Sequence, residues 1–386
     1  MSAPARVCPA CGSRQWKTFL EITTGRSLGS DQRIVPWGLQ KLICARCGVA
    51  CNHGRFSAQE LELLYGRDYQ LNTCGEDHLF FTPQGPVPRS QVYLEWIEPF
   101  LPRDLESLLE VGCGQGNLLS RLARARPHAR ARGLEGSRRA CEMARAKGLD
   151  VKQGLILSAD DRLPASQAIV SVGVLEHMEE PGLLAGAVRR ALTPEGRAIF
   201  CLPVQDHPGY DLFFSDHVWH LTMDQWRAAL AGWGLEVIHA ESDHPINQGF
   251  GLFVCRKAEP RHAAPGPDQG RLVTRNRDHW LAVFKRVDGL LAGLDDASLA
   301  VFGAGEVFSL FMAYTRLGEA RVLACLDEDS SKHGSHKHGV PIVGLDRLKR
   351  GDVQAVLLAV NPKYHRMLAE KLAPFGLPIL SYAEEV

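Results

Sequence analysis

Between residues 89 and 258 short apolar runs alternate with stretches in which apolar residues recur every three or four positions. An apolar run at 105–109 meets a glycine-rich turn and then a helical pattern at 117–126. Further runs lie at 168–175 and 198–202. This alternation predicts an α/β fold built on a doubly wound, mostly parallel sheet. Beyond it a helical pattern at about 272–294 leads into a second βαβ series, with strands expected at 299–302, 321–326 and 355–360. Residues 1 to about 80 read as short strands and loops. Two stretches rich in proline and small residues, 82–88 and 258–267, read as linkers. The pattern therefore divides the chain into 1–80, 81–258 and 268–386.

Composition narrows the partners. Hydrophobic residues are 45% and charged residues 23% of the 386 positions, which is ordinary for a globular chain of two or three domains. Forty-four Lys and Arg balance forty-four Asp and Glu, so no basic footprint for nucleic acid or membrane surface is expected. No apolar run is long enough for a bilayer, and the N-terminus lacks the apolar core of a secretion signal. A cytoplasmic location and a monomeric state are the default expectations. The 11 cysteines then read as thiols or metal ligands before disulfides.

Four of those cysteines are paired. Cys8-Pro-Ala-Cys11-Gly and Cys44-Ala-Arg-Cys47-Gly are matched knuckles, each offering two thiolates to one ion, with a glycine that permits the tight turn. Four thiolates suit tetrahedral Zn2+ in a closed, structural site. Cys51 and His53 lie nearby as conceivable substitute ligands or packing residues.

Glu110-Val111-Gly112-Cys113-Gly114-Gln115-Gly116 sits between the 105–109 strand and the 117–126 helix. Strand, glycine turn and helix make a cradle of nucleotide size. Glu135, in Gly133-Leu134-Glu135-Gly136-Ser137, closes the next strand, where an acid accepts hydrogen bonds from ribose hydroxyls or else caps a helix. Two further stretches follow, Ser171-Val172-Gly173-Val174-Leu175-Glu176-His177-Met178 and Leu192-Thr193-Pro194-Glu195-Gly196-Arg197. In order and spacing these resemble motif I, the fourth-strand motif and the turn before the fifth strand of class I S-adenosylmethionine (SAM)-dependent methyltransferases. The resemblance covers about 90–258. It implies a Rossmann-like SAM domain with Glu110, Gly112, Gly114, Gly116, Glu135, Gly136, Ser171 and Val174 around the cofactor. His177 would line the active site or only hydrogen-bond the strand end.

The three-part layout resembles the sugar C-methyltransferase family, which joins a zinc-binding domain, a SAM domain and a C-terminal Rossmann-like domain. That resemblance implies a nucleotide-linked sugar as substrate. The family's Tyr-x-Glu-His stretch falls here on Phe214-Ser215-Asp216-His217, so tyrosine and glutamate are replaced and histidine is retained. Histidine is the side chain best matched to proton transfer near neutral pH. His217 is the candidate general base, with Asp216 as its orienting carboxylate and His220 beside it. Tyr69 lies in a segment that the family places near the active site, or else ends a helix packed on the central domain. Arg89, after the first linker, either reaches an anionic ligand or, the favoured reading, is a surface arginine. In the C-terminal part, Gly303-Ala304-Gly305 is a degraded glycine fingerprint and Asp327 ends the next strand. His333, His336 and His338 look like a metal patch but, spaced in a Gly/Ser/Lys loop, read rather as solvated. Alternatives kept at this stage are an O- or N-methyltransferase of another metabolite, and a non-catalytic SAM-fold module.

Overall fold

The computed structural model describes residues 6–54, 56, 77–82, 85–266, 269–294 and 296–383. Tyr69 lies outside the described residues. The chain divides into two compact units: Met1–Leu20, Gln40–Leu212 and Asp216–Asn276 form one, and Glu21–Leu39, Phe213–Ser215 and Arg277–Val386 the other. The three segments read from the sequence are thus gathered into two bodies.

Near the N-terminus, β1 (Trp16–Ile22), β2 (Leu39–Cys44) and β3 (Ala50–Asn52) begin a small sheet. Its two knuckles share one backbone design. The N–H of Gly12 donates to Cys8 O and that of Gly48 to Cys44 O, at 2.9 and 3.0 Å. Both glycines take left-handed φ, +71° and +76°, which is the conformation the turn requires. The stretch expected as a linker at 82–88 is instead half of a hairpin: β4 (Leu79–Thr82) pairs antiparallel with β5 (Gly85–Pro88). Proline is tolerated there because a two-stranded ribbon leaves each strand an edge that needs no N–H.

After α1 (Arg89–Ile97) the chain enters the large sheet. β6 (Ser107–Val111), α2 (Asn117–Ala125), β7 (Arg130–Glu135), α3 (Arg138–Ala146), β8 (Asp150–Gln153), β9 (Ser166–Val172), α4 (Pro181–Ala191) and β10 (Leu192–Pro203) follow in order. The anticipated turn at 192–197 is an irregularity inside β10. Ser166 pairs with Leu192 while Ala168 pairs with Arg197, so the extra residues bulge from a continuous strand. β11 (Trp219–His220) leaves this sheet and joins the knuckle sheet, giving the order β1-β2-β3-β11. α5 (Met223–Gly232) starts on a capping box: Thr222 and Gln225 exchange side-chain-to-backbone bonds. Gln225 Nε2 also donates to Cys47 O at 2.7 Å, tying the second knuckle to this helix. β12 (Leu235–Glu241) and β13 (Phe250–Lys257) complete the seven-stranded sheet, order β8-β7-β6-β9-β10-β13-β12. Its first five strands are parallel; β13 is antiparallel to both β10 and β12. The apolar face of β9 and β10 packs on α4 and α5 around Trp226, which is fully buried. Ligands bind such sheets at the carboxyl ends of the strands, where the order reverses beside β6 and β9.

α6 (Gln269–Leu291) leads to the second unit. Here β14 (Leu299–Phe302), α7 (Glu306–Tyr314), β15 (Val322–Leu326), β16 (His336–Lys337), β17 (Val340–Val343), β18 (Ala355–Leu358), α8 (His365–Leu372) and β19 (Ile379–Leu380) build a six-stranded sheet, order β16-β17-β15-β14-β18-β19. All pairs but β16–β17 are parallel. The expected strands at 299–302, 321–326 and 355–360 are β14, β15 and β18. No helix among the described residues is long and apolar enough to cross a membrane.

Candidate active site

A cavity of about 820 Å³ opens at the carboxyl ends of β6, β7 and β9. Glu110, Gly112, Gly114, Glu135, Gly136, Val174 and His177 all line it. Gly112, Gly114 and Gly116 have φ of +74°, +51° and +76°, so the loop depends on glycine at each. A Cβ on Gly112 would stand 2.4 Å from Val174 Cγ2, whereas one on Gly114 would meet nothing within 4 Å. Gly114 is therefore open to a ligand. Gly116 and Ser171, expected at the cofactor, do not line the cavity. Gly116 instead caps α2, and a Cβ there would strike Leu149. Ser171 is buried on β9 opposite Val111.

Two carboxylates face the loop. Glu135 accepts the N–H of Gly114 at 2.8 Å and that of Ser137 at 2.7 Å, one on each oxygen. Each oxygen keeps a further lone pair. Burial raises its pKa, opposed by the same backbone donors. Glu110 is 3% exposed, and its Oε2 has no hydrogen-bond partner among the described residues. Burial, with the Glu135 charge second, pushes it well above the usual carboxylate range. An orphaned buried acceptor beside an open glycine is what a missing polar ligand leaves behind. Leu155 and Leu157 add apolar wall and are 62% and 72% exposed. Arg89, expected at the surface, lines the cavity, with its guanidinium 5.2 Å from the Tyr93 ring centre.

His177 leads from this cavity into a buried polar network. Its Nδ1 lies 3.2 Å from Asp216 O and 3.6 Å from the Asp216 carboxylate, and its ring centre is 4.5 Å from that of His217. The carboxylate that orients His217 is Asp211, not the adjacent Asp216. Asp211 bonds His217 Nδ1 through one oxygen and His220 Nδ1, at 2.6 Å, through the other. Lys41, fully buried on β2, closes the network. Its Nζ lies 2.7 Å from His220 Nε2, 2.6 Å from Asn52 Oδ1 and 3.0 Å from His217 O.

These contacts separate the histidines electrostatically. Burial alone would lower the His217 pKa, but the Asp211 charge and hydrogen bond outweigh it and push it up to about 9. Burial, then the His217 charge, pushes His177 down to about 4. Burial, then Lys41, lowers His220 to about 4. Burial would raise Asp211, yet the two imidazoles hold it well below the usual range. At neutral pH His217 keeps its proton in the ion-free chain, and His177 is the neutral ring facing the cavity. Lys41 and Asp211 carried no signal of their own in the sequence. The fold brings Lys41 on β2, and Asp211 a few residues ahead of the histidines, against His217 and His220.

The knuckle cysteines converge. Cys8 and Cys47 Sγ are 3.4 Å apart, Cys11 and Cys44 Sγ 3.6 Å, and all four lie within reach of one ion. Zinc–thiolate bonds of about 2.3 Å put tetrahedral sulfurs about 3.8 Å apart, so the set fits. Cys51 and His53 are not part of this group.

Residues 88–240 match the family model for a methyltransferase domain. The match spans about two-fifths of the chain. Among solved structures, the chain is similar to the mitomycin 7-O-methyltransferase MmcR, at 19% identity over 40% of this chain and 49% of that one, TM-score 0.35. It thus spans about half of that protein's length. It is also similar to a complex between the Haloferax volcanii Trm112 methyltransferase activator and a methyltransferase (17%, 44% and 91%, 0.38). A third likeness is to a TehB-like SAM-dependent methyltransferase from Corynebacterium glutamicum (19%, 44% and 87%, 0.35). A search of curated proteins finds no match.

Proposed function

We propose that the methyltransferase domain moves a methyl group from SAM to a small molecule, a nucleotide-linked sugar, at the end of the cavity where His177 stands. The observation that carries this reading is the pair Glu135 and Gly114: an acid with spare lone pairs, beside a left-handed glycine open to the cavity. In this reading Glu135 receives the ribose hydroxyls, Glu110 offers its unpartnered oxygen to the amino-acid end, and Leu155 and Leu157 cover the adenine. When bound, SAM supplies an electrophilic methyl group on a sulfonium.

The polar network does the rest. His177, held neutral, is the ring able to accept an acceptor's proton in the ion-free chain. His217, first expected as the base, holds its own proton and pairs with Asp211, so its part is to fix the ring beside it. The sugar assignment is supported by the three-part layout, and Arg89 at the cavity wall offers a cation to a substrate phosphate. The replacements at Phe214 and Asp216 favour a second reading, in which the methyl goes to oxygen or nitrogen rather than carbon. We propose also that Cys8, Cys11, Cys44 and Cys47 hold one structural zinc ion.

The test is S-adenosylhomocysteine release against a panel of nucleotide sugars and their keto forms. Turnover with members of the panel, and its loss in His177→Ala with cofactor binding intact, is expected. Release with none of them, from protein that binds SAM, would remove the sugar assignment.

A further inference from the structure

A carboxylate beside His177 keeps a buried oxygen without a hydrogen bond among the described residues. Glu176 lies in the short turn Leu175–His177 and is 1% exposed, and its Oε2 makes no hydrogen bond among the described residues. An ionisable oxygen buried without a partner is costly unless something binds it. Two imidazoles are beside it. One ligand atom from each of Glu176, His177 and His217 lies within 4.8 Å of the others. Metal–ligand bonds of about 2.0–2.2 Å place neighbouring donors about 3–4 Å apart, so a small contraction closes such a set on one ion.

Both rings are already held as metal-binding imidazoles are held. His177 Nδ1 faces Asp216 O, and His217 Nδ1 is bonded to Asp211. A nitrogen that donates to oxygen in this way leaves the lone pair on Nε2 and fixes its direction. The rings meet edge to face at 84°, with their centres 4.5 Å apart.

We propose that Glu176, His177 and His217 form a second metal site, for a first-row divalent cation, in the wall of the cofactor cavity. Two histidines and one carboxylate are the donor set of open sites, which keep positions for an outside oxygen, unlike the closed four-cysteine set. His177 lines the cavity, so those positions serve the acceptor. A hydroxyl bound there loses its proton to solvent water, and its oxygen keeps the O–H pair as nucleophile. The two rings then act as ligands, and the ion replaces His177 as the activating group. That catalytic role rests on the methyl-transfer reading; the binding of the ion does not.

The full-length protein tests this. Zinc is counted per chain after loading with excess Zn2+ and desalting, and Mn2+ binding is followed by calorimetry on protein that retains its cysteine-bound zinc. Wild type should hold two zinc ions and titrate one Mn2+. Glu176→Gln and His217→Gln should each hold one zinc and bind Mn2+ at least tenfold more weakly, and Asp211→Asn about tenfold more weakly. A wild-type count of one, with no Mn2+ heat, overturns the proposal whatever the variants do. So does a second ion that survives both Glu176→Gln and His217→Gln. SAM binding is measured on the same samples. Its presence with a count of one leaves the methyl-transfer reading standing, whereas its absence removes that reading separately.

Discussion

Glu135→Gln isolates the cofactor reading, because the exchange keeps shape and changes only charge and one acceptor. In the structure both carboxylate oxygens accept a backbone N–H, from Gly114 and Ser137. The amide keeps one acceptor oxygen and turns an NH2 toward the other donor. The ligand loses one charge-assisted hydrogen bond outright and the charge behind the second. At 1.5–3 kcal/mol for such bonds, the loss in SAM affinity is about 3 kcal/mol, or roughly 150-fold. The free protein should suffer less. An unpaired N–H costs about 1–3 kcal/mol, but a desolvated charge that burial already disfavours is removed with it. Calorimetric titration with S-adenosylhomocysteine, beside thermal unfolding of both proteins, separates the two effects. Glu142→Gln on the exposed face of α3 is the control. A dissociation constant within threefold of wild type in Glu135→Gln would mean that Glu135 braces the glycine loop and does not touch the cofactor.

Gly112→Ala puts a Cβ 2.4 Å from Val174 Cγ2 at a φ of +74° and should cost about 2–4 kcal/mol in thermal unfolding; adding Val174→Ala should recover the overpacking part and leave the backbone strain. Cys44→Ser should abolish the tightly held zinc by elemental analysis and lower the unfolding midpoint, while an unchanged zinc content would exclude the knuckles as its site. Lys337 is pushed down to about 8 by burial, from 10.5 in the unfolded chain. Between those values the unfolded state binds more protons, so stability should rise with pH by about 3 kcal/mol, and Lys337→Met should flatten that rise in denaturant titrations at pH 8 and pH 10.

What the sequence disclosed was local. Glu135 and Gly114 could be read because strand, glycine turn and helix are contiguous, and the acid ends the very next strand. The knuckles could be read because each is five residues long. Asp211 could not, since it reaches His217 and His220 only through the fold of the loop between them, and the sequence-adjacent Asp216 was the natural but different choice. Lys41 sits in Leu39–Cys44 with the look of a solvent-facing strand residue. It is buried because β11 arrives from far along the chain to cover it. The hairpin at 79–88 was hidden by its prolines, which signal a linker wherever pairing partners are not visible.

The pairing of β3 with β11 also sets an order of events during synthesis. Cys51 meets Trp219, about 170 residues later in the chain. Both knuckles are complete by residue 48, so zinc can be taken up almost as soon as they emerge. The sheet they belong to cannot be finished until β11 leaves the ribosome. At about 5–20 residues per second that interval is roughly 10–30 s, through which β3 presents an unpaired edge. An N-terminal segment waiting with one open edge is exposed to mispairing, and the closing strand carries the histidine that completes the Lys41 network.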